Sequence, residues 1–205
     1  RYAPQYLELI QRIRDGQIGE LTHLEALWIG DMELWHYHDR QPSWSDMEWQ
    51  IRCWPLFTWL SGDHYVEQLV HNLDVVNWVA DATPVVCQGL GGRQVRTGPE
   101  FGNIFDHFAV RYEYEDGTTM FAMATQQRGI STRVGNVIHG TKGSAQVDRA
   151  TATITGDSSR STSSRTGATL RKLAVSETLV PPTSTIRSPN TLNSRAALMP
   201  RSRSS

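Results

Sequence analysis

The sequence is poor in cysteine. Cys53 and Cys87 are the only two, with no CxxC pair and no zinc-like spacing. A disulfide framework is therefore excluded; a single bond is not, and two buried free thiols are the expectation. Long apolar runs are also missing. None approaches the ~18 residues of a membrane span, and no signal-peptide pattern is visible. Net charge is small, with 20 Lys and Arg against 21 Asp and Glu, so no general affinity for nucleic acid or a membrane surface is expected. There is no internal repeat. The compartment, cytoplasmic or exported, is not readable from these features.

The near-zero charge hides two unlike segments. Residues 1–150 are acidic by about seven charges and the remainder is basic by about six, an asymmetry that suggests separate characters. All seven Trp lie in the first part, while from residue 151 onward there is no aromatic residue and roughly two fifths of positions are Ser or Thr. Such a stretch buries too little apolar surface to offset its chain entropy. The expected organisation is an ordered domain over residues 1–155 and a disordered Ser/Thr/Arg-rich tail over 156–205, with residues 170–180 as one marginal element. A tail of this kind is what an out-of-frame reading would produce. The chain opens on Arg1 rather than Met, so an upstream segment is also expected.

Along the ordered part, Tyr6, Leu7, Ile10 and Ile13 recur at helical spacing between Pro4 and Gly16, which predicts a helix over residues 4–15. A strand follows over 21–29. Residues 30–50 form a long loop carrying Trp35, His36, His38, Trp44 and Trp49, either a lid packed by its own rings or a substrate-contacting surface. A short helix over 50–60 then leads into a longer one. After Pro84 the period changes to two, with strands expected at 85–90, 107–114, 119–126, 133–139, 144–147 and 151–154; Asp116-Gly117 marks a hairpin. Helices early and strands late give an α+β fold: an open, mostly antiparallel or mixed β-sheet with helices on one face.

The longer helix carries the chemistry. From Trp59 to Trp78 no Gly or Pro interrupts about four turns after the Ser61-Gly62 break. Asp63, Glu67, His71, Asp74 and Trp78 recur every three or four residues and so share a face. An imidazole, with an ordinary pKa of ~6.5, can take and return a proton at neutral pH, and His71 supplies one on that face. Glu67, one turn earlier, can fix its tautomer, and Asp63 and Asp74 can hold hydroxyl groups; a surface helix with ordinary i,i+4 pairs is the plain alternative. His64, Glu67 and His71 fit neither the HExxH nor the HxxEH zinc pattern. Two turns of rise, ~10 Å, separate the two imidazoles, so no metal site is expected. Arg93 and Arg96 could clamp a carboxylate or phosphate, or merely decorate a solvated β-connection. Gly89, Gly91 and Gly92 lack the third spaced glycine and the following helix of a dinucleotide fingerprint.

Taken together, Tyr6-Leu7, Ile10 and Gly16-Gln17-Ile18-Gly19, the Gly62 turn into Glu67-x-x-x-His71-x-x-Asp74, and Gly140-Thr141-Lys142-Gly143 resemble the C-terminal domain of the Gfo/Idh/MocA oxidoreductases. The loop over 91–103 and the Ser61-Gly62-Asp63-His64 opening look most like that family's larger, often exported bacterial members. The likeness spans residues 2–155. It implies an α/β domain whose open sheet makes a homo-oligomer interface, preceded by a Rossmann domain that binds NAD or NADP. Carried over by position, His71 is the acid/base residue and Glu67 stands where the family's pattern has Asp. Asp74 would contact the sugar or polyol substrate; Arg93, Trp35 and Trp44, nominated above by their own chemistry and not by the resemblance, are the further candidate substrate contacts. The glycine fingerprint and the Glu-Lys-Pro segment would lie upstream, so this chain alone is expected to be inactive. The family's NAD-dependent glycosidase chemistry and a non-catalytic carbohydrate-binding or scaffold module are the alternatives.

Overall fold

Leu9, Ile10 and Ile13 are buried along one side of α1 (Pro4–Arg14), with Pro4 at a position where its missing N–H costs no helical hydrogen bond. The computed structural model describes residues 2–30 and 36–156. The expectations for Trp35, for the tail over 156–205 and for an element at 170–180 therefore fall outside the described residues, apart from Gly156. After α1 come β1 (Leu21–Gly30), α2 (Asp46–Arg52), α3 (Thr58–Ser61), a π-helical turn (Tyr65–Leu69) and α4 (Val70–Ala80). The strands β2 (Val86–Gly92), β3 (His107–Glu113), β4 (Thr119–Gln126), β5 (Arg133–Gly140), β6 (Gly143–Val147) and β7 (Ala152–Gly156) follow.

The strands form one seven-stranded open sheet in the order β2-β3-β4-β1-β5-β6-β7. Only β1 and β4 run parallel, Leu24 opposite Met120 and Ala26 opposite Ala122; every other pairing is antiparallel. This is the mixed sheet read from the sequence. Because side chains alternate across a strand, Leu24 and Ala26 of β1 join Met120, Ala122 and Ile138 in a core. Leu69, Val75, Val76 and Val79 close it from above, with Ile10 and Ile13 of α1. The opposite face carries His23 against Phe121 (ring centroids 5.3 Å), the Arg111–Glu113 ion pair and Arg133 near Glu25 at 3.4 Å.

Two of the motifs behind the resemblance meet in space. Lys142 N–H donates to Ile18 O (2.8 Å) and Thr141 N–H to Glu20 O (2.9 Å). The chains approach so closely that a Cβ on Gly19 would stand 2.3 Å from Thr141 Oγ1, and one on Gly140 would stand 2.2 Å from Ile18 O. Glycine is required at both for that reason, and at Gly19 also for its φ of +76°.

Three local expectations need correction. The helix expected over 50–60 is broken into α2, a 3₁₀ turn at Trp54–Leu56 and α3, because Pro55 removes a donor and starts its own turn. The chain after Gly62 is not four turns of α-helix: Asp63 sits at φ +70°, and the first turn is π-helical before α4 begins at Val70. The two thiols are both free, but only Cys53 is buried; Cys87 lies on the exposed edge strand β2.

Candidate active site

His71 stands exposed on the first turn of α4. Beside it opens a cleft of about 250 Å³ lined by Tyr6, Trp28, Asn72, Val134, Asp148 and Arg149. The Trp28 and His71 rings lie 6.1 Å apart, tilted by 42°. A second hollow of about 440 Å³ shares Trp28, Val134, Asp148 and Arg149 and reaches Gly30 and Thr132. Elements distant in sequence thus supply the walls: α1, β1, α4, β5 and the turn after β6.

The next residue along fixes the backbone that carries His71. Asn72 is buried and donates to Asn136 Oδ1 (3.2 Å), while Asn136 Nδ2 donates to Asn72 O (2.9 Å). This reciprocal amide pair ties the start of α4 to β5 in the middle of the sheet. Burial makes it hard to break, since either amide alone would be left unsatisfied.

Glu67 is half-buried in the π-turn. Burial raises its carboxyl above the usual range, while the charges of His71 and His36 draw it back down. His71 and Glu67 are thus electrostatically coupled, but they do not line one hollow. Glu67 borders a separate pocket of about 10 Å³, with His64, Gln68, Arg96 and Gln126. There Arg96 Nη1 donates to Gln126 Oε1, and Gln126 Nε2 donates to Gln68 Oε1, both at 2.6 Å. That buried chain fastens the π-turn to β4 and to the loop before β3. A π-turn is a costly irregularity that recurs at functional sites, and here it sits immediately ahead of His71.

Asp106, fully buried, organises that loop. Its Oδ2 accepts the N–H groups of Gln94 (2.8 Å), Val95 (2.6 Å) and Arg96 (3.0 Å), and its Oδ1 accepts from His107 Nδ1 (2.6 Å). Burial alone would raise the carboxyl pKa; the N–H donors and the His107 ring outweigh it and hold it well below the usual carboxylate range.

The other residues proposed from sequence fall in different places. Asp63 does not share the His71 face: it is buried, its Oδ1 accepts from His64 N–H (2.7 Å) and its Oδ2 from Phe105 N–H (2.8 Å). Both oxygens are occupied, so it fastens the loop before β3 and holds no hydroxyl. Asp74 is half-buried on α4 and is not among the residues lining the cleft. The Arg93 guanidinium donates to Arg96 O and to Gly98 O (2.8 Å), both in its own loop. Trp44 lies under the Arg52 guanidinium at 4.5 Å, and Trp49 packs edge-on to Phe57 at 5.2 Å. The described part of the aromatic loop is therefore packed by its own neighbours. Trp28 and Arg149 were missed by sequence reasoning. Trp28 reads as one more apolar residue of a strand, and no local pattern marks Arg149.

His64 is buried, and neither ring nitrogen has a hydrogen-bond partner. Burial and then the Arg96 charge push its pKa down to about 4. The unfolded chain, with a value near ~6.5, binds a proton that the folded chain refuses. Stability is therefore lost as pH falls from 6.5 to about 4, by up to about 3 kcal/mol. In urea unfolding at pH 7 and pH 4.5, His64→Leu is expected to remove most of that loss; an identical pH dependence in wild type and variant would refute the assignment.

The GFO/IDH/MocA C-terminal domain model matches residues 6–146. No significant match is found among curated proteins. Myo-inositol 2-dehydrogenase from Lactobacillus plantarum shares the fold with a TM-score of 0.55 and 18% identity, over 72% of this chain and 39% of that one. Aldose-aldose oxidoreductase from Caulobacter crescentus, solved with glycerol, gives 0.56 and 18%, over 77% and 44%. Levoglucosan dehydrogenase in complex with NADH and levoglucosan gives 0.55 and 16%, over 73% and 39%. The chain spans about two fifths of the length of these structures. With the family model covering most of the ordered sheet and helices, the chain belongs to the Gfo/Idh/MocA oxidoreductases and carries their C-terminal domain.

Proposed function

We propose that residues 1–155 form the substrate-binding and catalytic half of an NAD(P)-dependent sugar or polyol oxidoreductase, with His71 as the acid/base residue. The observation that carries this reading is the exposed His71 imidazole, set on a helix locked by the Asn72–Asn136 pair and facing an open cleft beside an indole. An imidazole carried on a fixed helix at the edge of a sugar-sized hollow can take a hydroxyl proton on one of its ring nitrogens. The Glu67 carboxylate, coupled to it by charge, favours the imidazolium that results. Trp28 offers a flat apolar face for the carbon skeleton.

NAD or NADP, when bound, supplies the acceptor for the hydride that leaves the same carbinol carbon, so the products are a carbonyl compound and NAD(P)H. The described residues suit the substrate side of that cofactor and not its phosphates. The one glycine ahead of the central helix, Gly62, is followed by the Asp63 carboxylate, which already takes the first helical N–H and would repel a phosphate. The nucleotide is then held by another domain, and activity requires both. The face of the sheet away from the helices, with Phe121 and Leu90 exposed, supports homo-oligomerisation.

The test is an assay of this domain joined to a nucleotide-binding domain of its family, with NAD and NADP, against a panel of polyols, aldoses and aryl glycosides. The expected result is formation of NAD(P)H with a polyol or aldose. Aglycone release without net NAD(P)H would favour glycosidase chemistry. Sugar binding without either would leave a carbohydrate-binding module.

A further inference from the structure

The π-turn ahead of His71 closes over an imidazole that has nothing to bond to. His64 is 2% exposed, and both of its ring nitrogens lack a hydrogen-bond partner and lie out of reach of water. The Phe108 ring stands 5.0 Å away, and the small hollow at the edge of the imidazole is shared with Pro55, Leu56, Ile104, Glu67 and Arg96. A neutral ring can sit there. A charged one is badly placed, because an imidazolium has two N–H donors to satisfy and gives up its water on burial.

The charges around the ring do not compensate. Asp63 Oδ1 stands 3.8 Å from His64 Nε2, but that carboxylate is already engaged by the N–H groups of His64 and Phe105. Asp106 favours the imidazolium, yet both its oxygens are taken by the loop and by His107. Arg96 and His107 oppose it. The segment that covers the ring is also hinged. Gly62 and Asp63, consecutive residues just before it, both have a φ of +70°. Beyond the ring, side chains tie the π-turn to the sheet at two points: Tyr65 Oη with Tyr112 Oη (2.7 Å), and Gln68 Oε1 accepting from Gln126 Nε2 (2.6 Å). Leu69 then enters the core, and the Asn72–Asn136 pair fixes α4 independently. A short segment between a hinge and an anchored helix can open without unfolding the sheet.

We infer that His64 makes the π-turn an acid-operated latch: protonation drives the ring from its pocket, the turn lifts between Gly62 and Leu69, and Glu67 moves away from His71, which α4 keeps in place. The latch belongs to the fold and works whatever the cleft binds. Its direction follows from burial. The lifted ring takes a proton at the ordinary value, ~6.5, and the seated ring only near 4. The lifted population therefore grows as pH falls through 6.5 and stops growing below about 4. Asp63 can only soften this response, because burial raises its carboxyl pKa and acid favours its seated form.

Amide hydrogen exchange of the full chain, followed residue by residue at pH 7 and pH 5 and divided by the intrinsic rate at each pH, tests the latch. In the wild type the hydrogen-bonded amides of the π-turn are expected to open more readily than those of β1 and β4 at both pH values. Their opening is expected to grow about tenfold from pH 7 to pH 5. His64→Leu is expected to abolish that growth while the π-turn stays seated. Equal protection of the π-turn and of the two strands in the wild type makes the opening global and overturns the latch without recourse to any variant. An opening of the π-turn that does not grow in acid overturns it as well. So does growth of the same size in His64→Leu, which assigns the response to another group.

Discussion

His71→Ala, made in the domain joined to its nucleotide-binding partner, is expected to lower kcat by two to four powers of ten, the range typical for a lost general acid/base. The substitution removes an exposed side chain on a helix whose position is set by its neighbour: the Asn72–Asn136 amide pair holds α4 to β5 whether or not the imidazole is present. Thermal stability should therefore change little, and the loss should fall on kcat more than on KM. Glu67→Gln keeps the shape of the side chain but removes the charge that faces His71. Its effect on kcat should be smaller than that of His71→Ala. A His71→Ala variant whose change is confined to KM would place the imidazole in binding and remove it from the chemistry. Steady-state kinetics across pH 5–9 separates these outcomes.

Asp106→Ala is expected to destabilise the fold by about 3–5 kcal/mol, as breaking a buried charged network does. The variant strands three backbone N–H groups, those of Gln94, Val95 and Arg96, and leaves His107 without its acceptor. The damage should spread toward the candidate site. Arg96 is positioned by the same loop, and its guanidinium begins the chain through Gln126 and Gln68 to the π-turn that bears Glu67. The pH dependence has a definite sign. Because the folded carboxyl is held below its ordinary value, Asp106 contributes stability above about pH 3.8 that is lost as pH falls below it. The gap between wild type and variant should therefore be full at pH 7 and narrow in acid, a window below the one assigned to His64. Chemical unfolding at pH 7 and pH 3 checks both statements; a loss under ~1 kcal/mol at pH 7 would mean that the loop finds other partners.

Much of the architecture could be read along the chain, because alternation and helical spacing are local signals. Strand by strand, the expected spans lie within a residue or two of the observed ones, and β4 coincides at Thr119–Gln126. The mixed sheet with helices on one face followed from helices early and strands late. Less was legible where one residue overrides a periodicity. Pro55 breaks the helix expected over 50–60, and the positive φ of Asp63 with the π-turn behind it removes Asp63 from the His71 face. Placing residues on one face by a spacing of three or four assumes 3.6 residues per turn throughout, and a π-turn violates that assumption without leaving a composition signal.

The candidate site divides in the same way. His71 and Glu67 could be nominated from sequence because their spacing, and the motif it resembles, lies within one helix. Their neighbours could not. Trp28 reaches the site because β1 occupies the centre of the sheet, and Arg149 because the turn after β6 folds back over it. Arg93 and Trp44 carried the right chemistry for a ligand, but their groups are engaged by Gly98 O and Arg52 respectively. The sequence by itself determined the sheet and the family and nominated His71 as the candidate, since hydrophobic period and short motifs are properties of contiguous residues. Which side chains share the cleft with that histidine was decided only by tertiary structure, because strand order and loop closure bring together residues more than a hundred positions apart.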